Sequence, residues 1–412
     1  MNMSVVKPGL SEGPDLATLA ANLEQILPLV EERAPEAEAQ GSLTDDVVAA
    51  LRKSGIYTML FPREVGGSDV SLADAMPLIE KLSHAHASAG WCANVNNMEG
   101  ATMALYIPDS GIERVFANGA DVTVAGNGVP RGFARKVAGG YEIWGNWAFG
   151  SGICHAEWIH TGGFLVDDEK QMIFGPTGSP RVVLVHHPRS TIRLKGEWDV
   201  LGLKATGSYD YEVAEGETIF VPDELVYDFD NAVPLRGGPQ GQLGLAGYSA
   251  WAHSSWALGV GRRMLDELVK VARNRRDAFG KTVDSASFKY QLALVEARYR
   301  AARAYAHETW RGICLGLEQS GTVTQDQMTD AKLVLRHVHD VVSDVATFAH
   351  RSARSASLYN TVMQRCYRDI HSGTQHILMA DQIIEECGRQ ILGATDPEAK
   401  WTVFGVADGG KA

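Results

Sequence analysis

Hydrophobic residues recur every three to four positions along the first hundred residues of the chain. In the segment Asp15–Gln40 they are Leu16, Leu19, Leu23, Leu27 and Val30. This spacing places apolar side chains on one face of a helix. The same pattern, bounded by Thr44 and Gly55, predicts a second helix over 44–54. Two further helices are predicted over 71–84 and 89–107.

The pattern changes near residue 121, where apolar and polar residues begin to alternate. Examples are Asp121–Ala125 and Tyr141–Trp144, and similar short runs continue to about Pro222. Short β-rich segments between glycine-rich turns are typical of a sandwich or a barrel. Gly139-Gly140 predicts a hairpin turn.

Helical periodicity returns after about residue 236. Gly241, Gly244 and Gly247 are expected in a loop that precedes four long helices over 258–273, 287–319, 324–355 and 370–392. Long amphipathic segments with short connections predict an antiparallel bundle. The predicted fold is therefore α+β: an N-terminal helical domain (1–120), a central β-barrel or sandwich (121–235) and a C-terminal four-helix bundle (236–412).

Charge and composition exclude some functions. Lys and Arg number 38 and Asp and Glu 50, a formal net charge of -12. This balance disfavours nucleic acid and anionic membrane surfaces as partners. Apolar stretches are too short for a transmembrane helix, and the N-terminus has no signal-peptide core. Five scattered cysteines indicate neither a disulfide framework nor a Cys-x-x-Cys metal site. A cytoplasmic location is expected.

Several common cofactor and metal motifs are absent. The sequence has no Gly-x-Gly-x-x-Gly after a strand, no phosphate-binding P-loop, no His-Glu-x-x-His and no Gly-x-Ser-x-Gly. His186 and His187 are adjacent in a predicted strand and point to opposite faces. His337 and His339 diverge on a predicted helix. No metal site is expected.

Motifs in a fixed order resemble the acyl-CoA dehydrogenase superfamily, which has the same order of helical, β and helical domains. The segment Leu51–Ile56 followed by Pro62 and Gly66-Gly67 resembles its N-terminal signature. Arg276–Lys281 resembles an Arg-x-x-Phe-Gly-Lys stretch, and Arg368-Asp369 resembles the pair before the active-site loop. The resemblance spans about residues 15–395 and implies a flavoprotein.

The chain departs from this family at the catalytic base. The dehydrogenases carry a glutamate shortly after the Arg-Asp pair. Aligning the Gly-Thr that follows puts Ser372 at this position, and aligning the Arg-Asp pair without a gap puts Ile377 there. Neither side chain can abstract a proton from carbon. A base supplied from another helix remains an alternative.

The departures resemble another branch of the fold, the oxygenase components of two-component flavin-dependent monooxygenases. The resemblance rests on Pro130–Ala134, Trp147–Trp158, Trp198–Ser208 and Arg368–His376. It implies that reduced flavin from a separate NAD(P)H:flavin reductase reacts with O2. The resulting flavin 4a-hydroperoxide would hydroxylate a small aromatic substrate, phenolic or indolic.

The resemblance implies that Ser151 places a hydroxyl beside the reactive nitrogen of the flavin. A strand-end turn serine is the alternative. Phe149 shares a strand face with Ser151 and is expected to line the flavin, whereas Trp147 faces the core. His376 is the predicted catalytic base or proton-managing residue, since an ordinary histidine titrates near neutral pH. His371 is the weaker candidate and is assigned to the substrate.

Further candidates surround this centre. Thr206 is assigned to the flavin and Ser208 to the substrate, although both could simply end a strand. Arg276 and Phe279 are expected to bind flavin, with Arg276 on the phosphates of a neighbouring subunit; a solvated basic helix end is the alternative. Aromatic side chains that suit a planar guest, or ordinary core packing, are Trp91, Tyr248, Trp251, Trp256 and Phe288.

The leading hypothesis is therefore a reduced-flavin-dependent aromatic hydroxylase. FADH2 is favoured over FMNH2, because only a dinucleotide needs an arginine on a pyrophosphate. A homodimer or homotetramer is expected. The alternatives are an acyl-CoA dehydrogenase-type enzyme with a displaced base and a non-catalytic relative of the same fold.

Overall fold

A computed structural model describes residues 12–175, 178–229, 231–277, 280–396, 399–401 and 406–407. The N-terminal part consists of five helices. Asp15 caps the first helix by accepting a hydrogen bond from the Thr18 amide, and Gly55 ends the second with φ 82°, a conformation that favours glycine. The helices are α1 (Leu16–Gln40), α2 (Asp45–Ser54), α3 (Leu72–Ala85), α4 (Ala87–Tyr106) and α5 (Asp109–Val115).

In the described part of the middle of the chain, nine strands form two sheets. A six-stranded sheet has the order β8-β2-β1-β4-β5-β9, and a three-stranded sheet has the order β3-β7-β6. The predicted turn at Gly139 joins β1 to β2, with Val137 opposite Gly140. The strands are β1 (Val124–Val137), β2 (Gly140–Trp144), β3 (Asn146–Trp147), β4 (Trp158–Val166), β5 (Val182–Pro188), β6 (Arg193–Lys195), β7 (Asp210–Glu212), β8 (Ile219–Pro222) and β9 (Val226–Asp228).

The C-terminal part is again helical. Its helices are α6 (Gly244–Asn274), α7 (Ala286–Ser320), α8 (Gln325–Ala353), α9 (Val362–Gly373) and α10 (Asp381–Ile391). Short two-residue strands form two hairpins, β10 (Arg276–Asp277) with β11 (Gly280–Lys281) and β12 (Lys400–Trp401) with β13 (Val406–Ala407).

Two details of the bundle differ from the sequence prediction. Helix α6 begins at Gly244, so Gly244 and Gly247 lie in the helix and not in a preceding loop. The helix predicted over 370–392 is two helices, separated by a short 3-10 turn at Ile377–Met379. Gly373, the last residue of α9, packs so tightly that an added Cβ would lie 2.4 Å from the Trp256 ring.

Buried hydrogen bonds join the three parts of the chain. The Trp251 indole donates to the Leu72 carbonyl over 2.6 Å, and the Trp256 indole donates to the Ala87 carbonyl over 2.8 Å. At the entry to the β domain, the Asn96 side chain accepts from the Val124 amide over 2.7 Å. Helix α4 is therefore fixed between the β domain and α6. The predicted α+β order of helical, β and helical parts is present in the structure.

Among the described residues, no helix combines the length and apolar character that a membrane span requires.

Candidate active site

Three hydroxyl groups and an indole form a buried chain of hydrogen bonds where the β domain meets α4. The Trp91 indole donates to Ser151 Oγ over 3.0 Å. Ser151 and Ser208 bond through their hydroxyls at 2.6 Å, and Ser208 and Thr206 do the same at 2.6 Å. Thr206 Oγ1 donates to the Leu203 carbonyl over 2.8 Å. The structure thus brings together three residues that the sequence proposed.

The direction of this chain follows from counting protons. Each hydroxyl has one proton to donate. Thr206 donates its proton to Leu203, so it accepts from Ser208, and Ser208 in turn accepts from Ser151. Ser151 thus donates its own proton to Ser208. Its Oγ accepts one hydrogen bond from the Trp91 indole and has one lone pair left to accept another. Ser151 is therefore prepared to accept a hydrogen bond from a ligand N–H.

The turn that carries Ser151 holds an aromatic residue in an unusual backbone conformation. Phe149 has φ 63°, a region that bulky side chains rarely adopt and that often marks functional sites. Its side chain is 61% exposed and meets the Trp198 ring edge-on, with centroids 6.4 Å apart. Trp147 is buried and stacks on Tyr211. An exposed aromatic face beside Ser151 fits a planar ring system such as a flavin.

The Arg368-Asp369 pair fixes the segment that carries Thr206 and Ser208. The Asp369 carboxylate accepts from the Leu203 amide over 2.6 Å, and Arg368 donates to the Leu201 carbonyl over 2.9 Å. An added Cβ at Gly202 would lie 2.3 Å from the Arg368 backbone. The pair therefore positions the hydroxyl chain.

Burial raises the pKa of Asp369 to about 6 from an ordinary 3.8, although the Leu203 amide opposes the rise. Because its pKa is higher in the native state than in the unfolded state, Asp369 binds a proton more tightly in the native state. The ionised carboxylate therefore destabilises the native state at neutral pH, and this cost is lost as the pH falls through 6. When the pH is lowered from 7.5 to 4, we expect the free energy of unfolding of wild type to rise by about 2 kcal/mol relative to that of Asp369→Asn. Urea unfolding at the two pH values measures this difference.

The control for this measurement is Asp168→Asn, since the Asp168 side chain is largely exposed. This variant should follow the wild-type pH dependence. If Asp369→Asn also does so, the pKa of Asp369 is not raised in the native state.

A second cluster, of aromatic and imidazole rings, adjoins the hydroxyl chain. His376 lies in the break between α9 and α10, where it caps the 3-10 turn. Its ring centroid is 5.9 Å from that of Trp91 and 4.1 Å from that of His253. Trp256 packs edge-on against Trp91 at 5.0 Å. Trp91 therefore contacts both Ser151 and His376.

The surroundings of His376 change the role expected for it. Burial, together with positive charge at His339 and Lys332, lowers the pKa of His376 to about 4. A pKa this far below neutral leaves His376 uncharged at neutral pH, which favours a hydrogen-bonding role over that of a base titrating near neutral pH. Since Nδ1 accepts from the Leu378 amide over 3.3 Å, the neutral ring carries its proton on Nε2. His376 is thus prepared to donate a hydrogen bond.

The other predicted residues are placed apart from this centre or outside the described residues. His371 contacts the Tyr367 ring, with centroids 4.5 Å apart, and not the rings around His376. Trp251 is buried, with its indole bonded to α3. Arg276 lies exposed on the hairpin after α6. Phe279 lies outside the described residues.

Two buried polar residues, His253 of the ring cluster and Lys332, whose charge acts on His376, were not among the predicted site residues. His253 is buried on α6, and its Nδ1 has no partner among the described residues. Lys332 is buried on α8 with its ammonium group likewise unpaired. A polar residue on the buried face of an amphipathic helix was the available signal for both. No carboxylate is among the described hydrogen-bond and ring partners of Ser151 and His376.

Comparisons with known proteins agree with this architecture. The acyl-CoA dehydrogenase N-terminal domain model matches residues 24–107, and the acyl-CoA dehydrogenase C-terminal domain model matches residues 251–381. Indole-3-acetate monooxygenase from Pseudomonas putida is 29% identical over 385 residues, which cover 90% of this chain and 93% of that protein. The flavin-dependent monooxygenase oxygenase subunit HsaA from Rhodococcus jostii is 26% identical over 411 residues, which cover 94% of this chain and 97% of that protein.

Solved structures show the same fold. The HsaA monooxygenase from M. tuberculosis superposes with a TM-score of 0.83 at 22% identity, over 92% of this chain and 98% of that one. XiaF from Streptomyces, solved with FADH2 and glycerol, has a TM-score of 0.82 at 20% identity, over 94% of this chain and 98% of that one. TdsC from Paenibacillus, solved with FMN and indole, has a TM-score of 0.76 at 20% identity over 92% and 98%.

Proposed function

We propose that this chain, which belongs to the acyl-CoA dehydrogenase superfamily by its N- and C-terminal domains, is the oxygenase component of a flavin-dependent monooxygenase that hydroxylates an aromatic substrate. The named relatives are monooxygenases, and one is an oxygenase subunit. A separate reductase would then supply reduced flavin, and O2 is the oxidant.

One observation carries the proposal. The hydrogen-bond chain that ends at Leu203 leaves Ser151 Oγ as an acceptor. Reduced flavin carries a proton on its central nitrogen N5, whereas oxidised flavin presents a lone pair there. An acceptor at Ser151 therefore favours the reduced form, which an oxygenase must hold until O2 arrives. A dehydrogenase, in contrast, starts from the oxidised form.

Each residue of the site has a separate role in the proposed reaction. When bound, reduced flavin supplies the electrons that activate O2. Ser151 would orient the flavin, and Phe149 would cover its ring. His376 would donate its Nε2 proton in a hydrogen bond to an oxygen atom of the oxidant or the substrate. The packed indoles of Trp91 and Trp256 exclude water, which limits loss of oxidising equivalents as peroxide.

The finer assignments extend the same proposal. FAD is favoured over FMN, because Arg276 is exposed on a hairpin from which it could reach the phosphates of flavin in a neighbouring subunit. This arrangement requires a homodimer or a homotetramer. Thr206 and Ser208 act through Ser151, whereas a substrate role for Trp251 has no support from its position on α6, where its indole is bonded to Leu72 of α3. A cytoplasmic location stays a prediction.

The direction of the hydroxyl chain can be tested by binding. We expect wild type to bind reduced FAD at least about tenfold more tightly than oxidised FAD under anaerobic conditions. Thr206→Val removes the hydroxyl that takes the Ser208 proton, so Ser208 can donate back to Ser151 and the ratio should fall about tenfold. Thr206→Ser keeps the hydroxyl and should keep the ratio. Both constants come from equilibrium titration of flavin fluorescence or absorbance.

The outcomes separate the candidate functions. Tighter binding of oxidised FAD, with prompt bleaching of the flavin by an acyl-CoA, would establish a dehydrogenase with a displaced base. Equal binding of both forms, with no oxidised product from any aromatic compound, would favour a non-catalytic relative. Either result contradicts the oxygenase assignment.

A further inference from the structure

A lysine is buried in the C-terminal bundle with no ion pair to any residue that the structure describes. Lys332 on α8 is 1% exposed, and its Nζ has no hydrogen-bond partner among the described residues. Burial lowers its pKa to about 8, so the group is still mostly charged at neutral pH. Burying an unpaired ammonium is costly, and proteins usually pair such a group or use it. Lys332 therefore needs a reason to be retained.

The neighbours of Lys332 do not neutralise it. The Cys387 thiol would stabilise the charge of Lys332 if it were ionised, but burial raises the pKa of this thiol to about 11, so it carries no negative charge at neutral pH. His376, which also senses the charge of Lys332, is neutral. The two residues leave the positive charge of Lys332 open to an anion.

The position of Lys332 connects it to the proposed active site. Lys332 and His339 are seven residues apart on α8, which places them on one face of the helix. His339 stacks against Trp256, with ring centroids 6.2 Å apart and planes at 26°. Trp256 in turn packs against Trp91. Lys332 thus lies near the ring cluster but is not among the contacts of Ser151.

We propose that Lys332 binds the carboxylate of the substrate and so selects aromatic acids. This inference rests on the proposed function, because it assigns the substrate class of the same site. The anion would lie near His376 and away from the hydroxyl chain of Ser151. It therefore belongs to a side chain of the aromatic ring and not to the carbon that is attacked beside the flavin. A carboxylate would supply the single negative charge that is needed to pair with the Lys332 ammonium group.

The test uses pairs of ligands that differ only in charge: indole-3-acetate with indole-3-acetamide, and 4-hydroxyphenylacetate with 4-hydroxyphenylacetamide. Binding is measured by calorimetry with the full chain, anaerobically, in the presence of reduced FAD. Wild type should prefer at least one acid over its amide by tenfold or more. Lys332→Met should weaken that acid about 10- to 100-fold and change the amide less than about threefold. Lys332→Arg should restore much of the preference.

Other results would overturn the proposal. Wild type that prefers no acid over its amide, or Lys332→Met that weakens both members of a pair equally, assigns Lys332 a structural role only. The folding of the variant is checked separately: Lys332→Met removes a buried charge, so its thermal midpoint should rise by a few degrees. Absence of any hydroxylated product with intact acid selectivity would contradict the proposed function and leave the lysine assignment standing.

Discussion

Ser151→Ala should convert most of the oxygen consumed into hydrogen peroxide. The variant loses the acceptor that orients the flavin and also frees the Trp91 indole and the Ser208 hydroxyl, which both bond to Ser151. Loss of one well-placed polar group in an enzyme site typically lowers the rate 10²- to 10³-fold. We expect the product formed per flavin oxidised to fall at least about tenfold, measured by chromatography of product beside a peroxide assay.

The matched control is Ser254→Ala. Ser254 is also buried, but its one hydrogen bond among the described residues goes to the Ala250 carbonyl of its own helix. This variant should keep the wild-type ratio of product to peroxide. Unchanged coupling in Ser151→Ala would remove Ser151 from the mechanism.

His376→Ala should bind reduced flavin within about threefold of wild type, yet form product at least tenfold more slowly. The reason is that His376 packs against the Trp91 ring and forms no described hydrogen bond with Ser151, Ser208 or Thr206, so its loss leaves the hydroxyl chain intact while removing a hydrogen-bond donor. Removal of a general acid or a comparable donor costs 10²- to 10⁴-fold in many enzymes. Rapid mixing of the reduced complex with O2 and substrate measures the rate.

The pH profile gives this prediction a second readout. Since the pKa of His376 is lowered to about 4, the residue stays neutral above that value and loses its role as a neutral donor only below it. Product formation should therefore show no His376-dependent change between pH 6 and 8. His371→Ala is the control, because His371 contacts Tyr367 and not the ring cluster. A loss in His371→Ala as large as that in His376→Ala would reverse the two assignments.

Local patterns predicted the helices and strands because they depend on neighbouring residues. The apolar spacing of α1 and the caps at Asp15 and Gly55 are of this kind. The break after α9 was not predicted; it follows Gly373, which packs against Trp256, a residue more than a hundred positions earlier. Periodicity alone continued the helix through this point.

The candidate site shows the same division. Motif resemblance predicted Ser151, Thr206, Ser208 and His376, and the three hydroxyl residues do form one hydrogen-bond chain. The protonation state of His376 could not be predicted from the sequence, because its pKa depends on burial and on charges that come from α8. Such an environment exists only after folding, and no local pattern encodes it.

The joint made by Arg368 and Asp369 has a consequence for assembly of the enzyme. Arg368 also forms an ion pair with Glu38 at the end of α1, while Asp369 holds Leu203. Leu203 and Asp369 are separated by more than 160 residues, and they must therefore meet before the segment that carries Thr206 and Ser208 acquires its final shape. Contacts of such long range form late in folding. Catalytic competence should thus appear only in the last kinetic phase of folding.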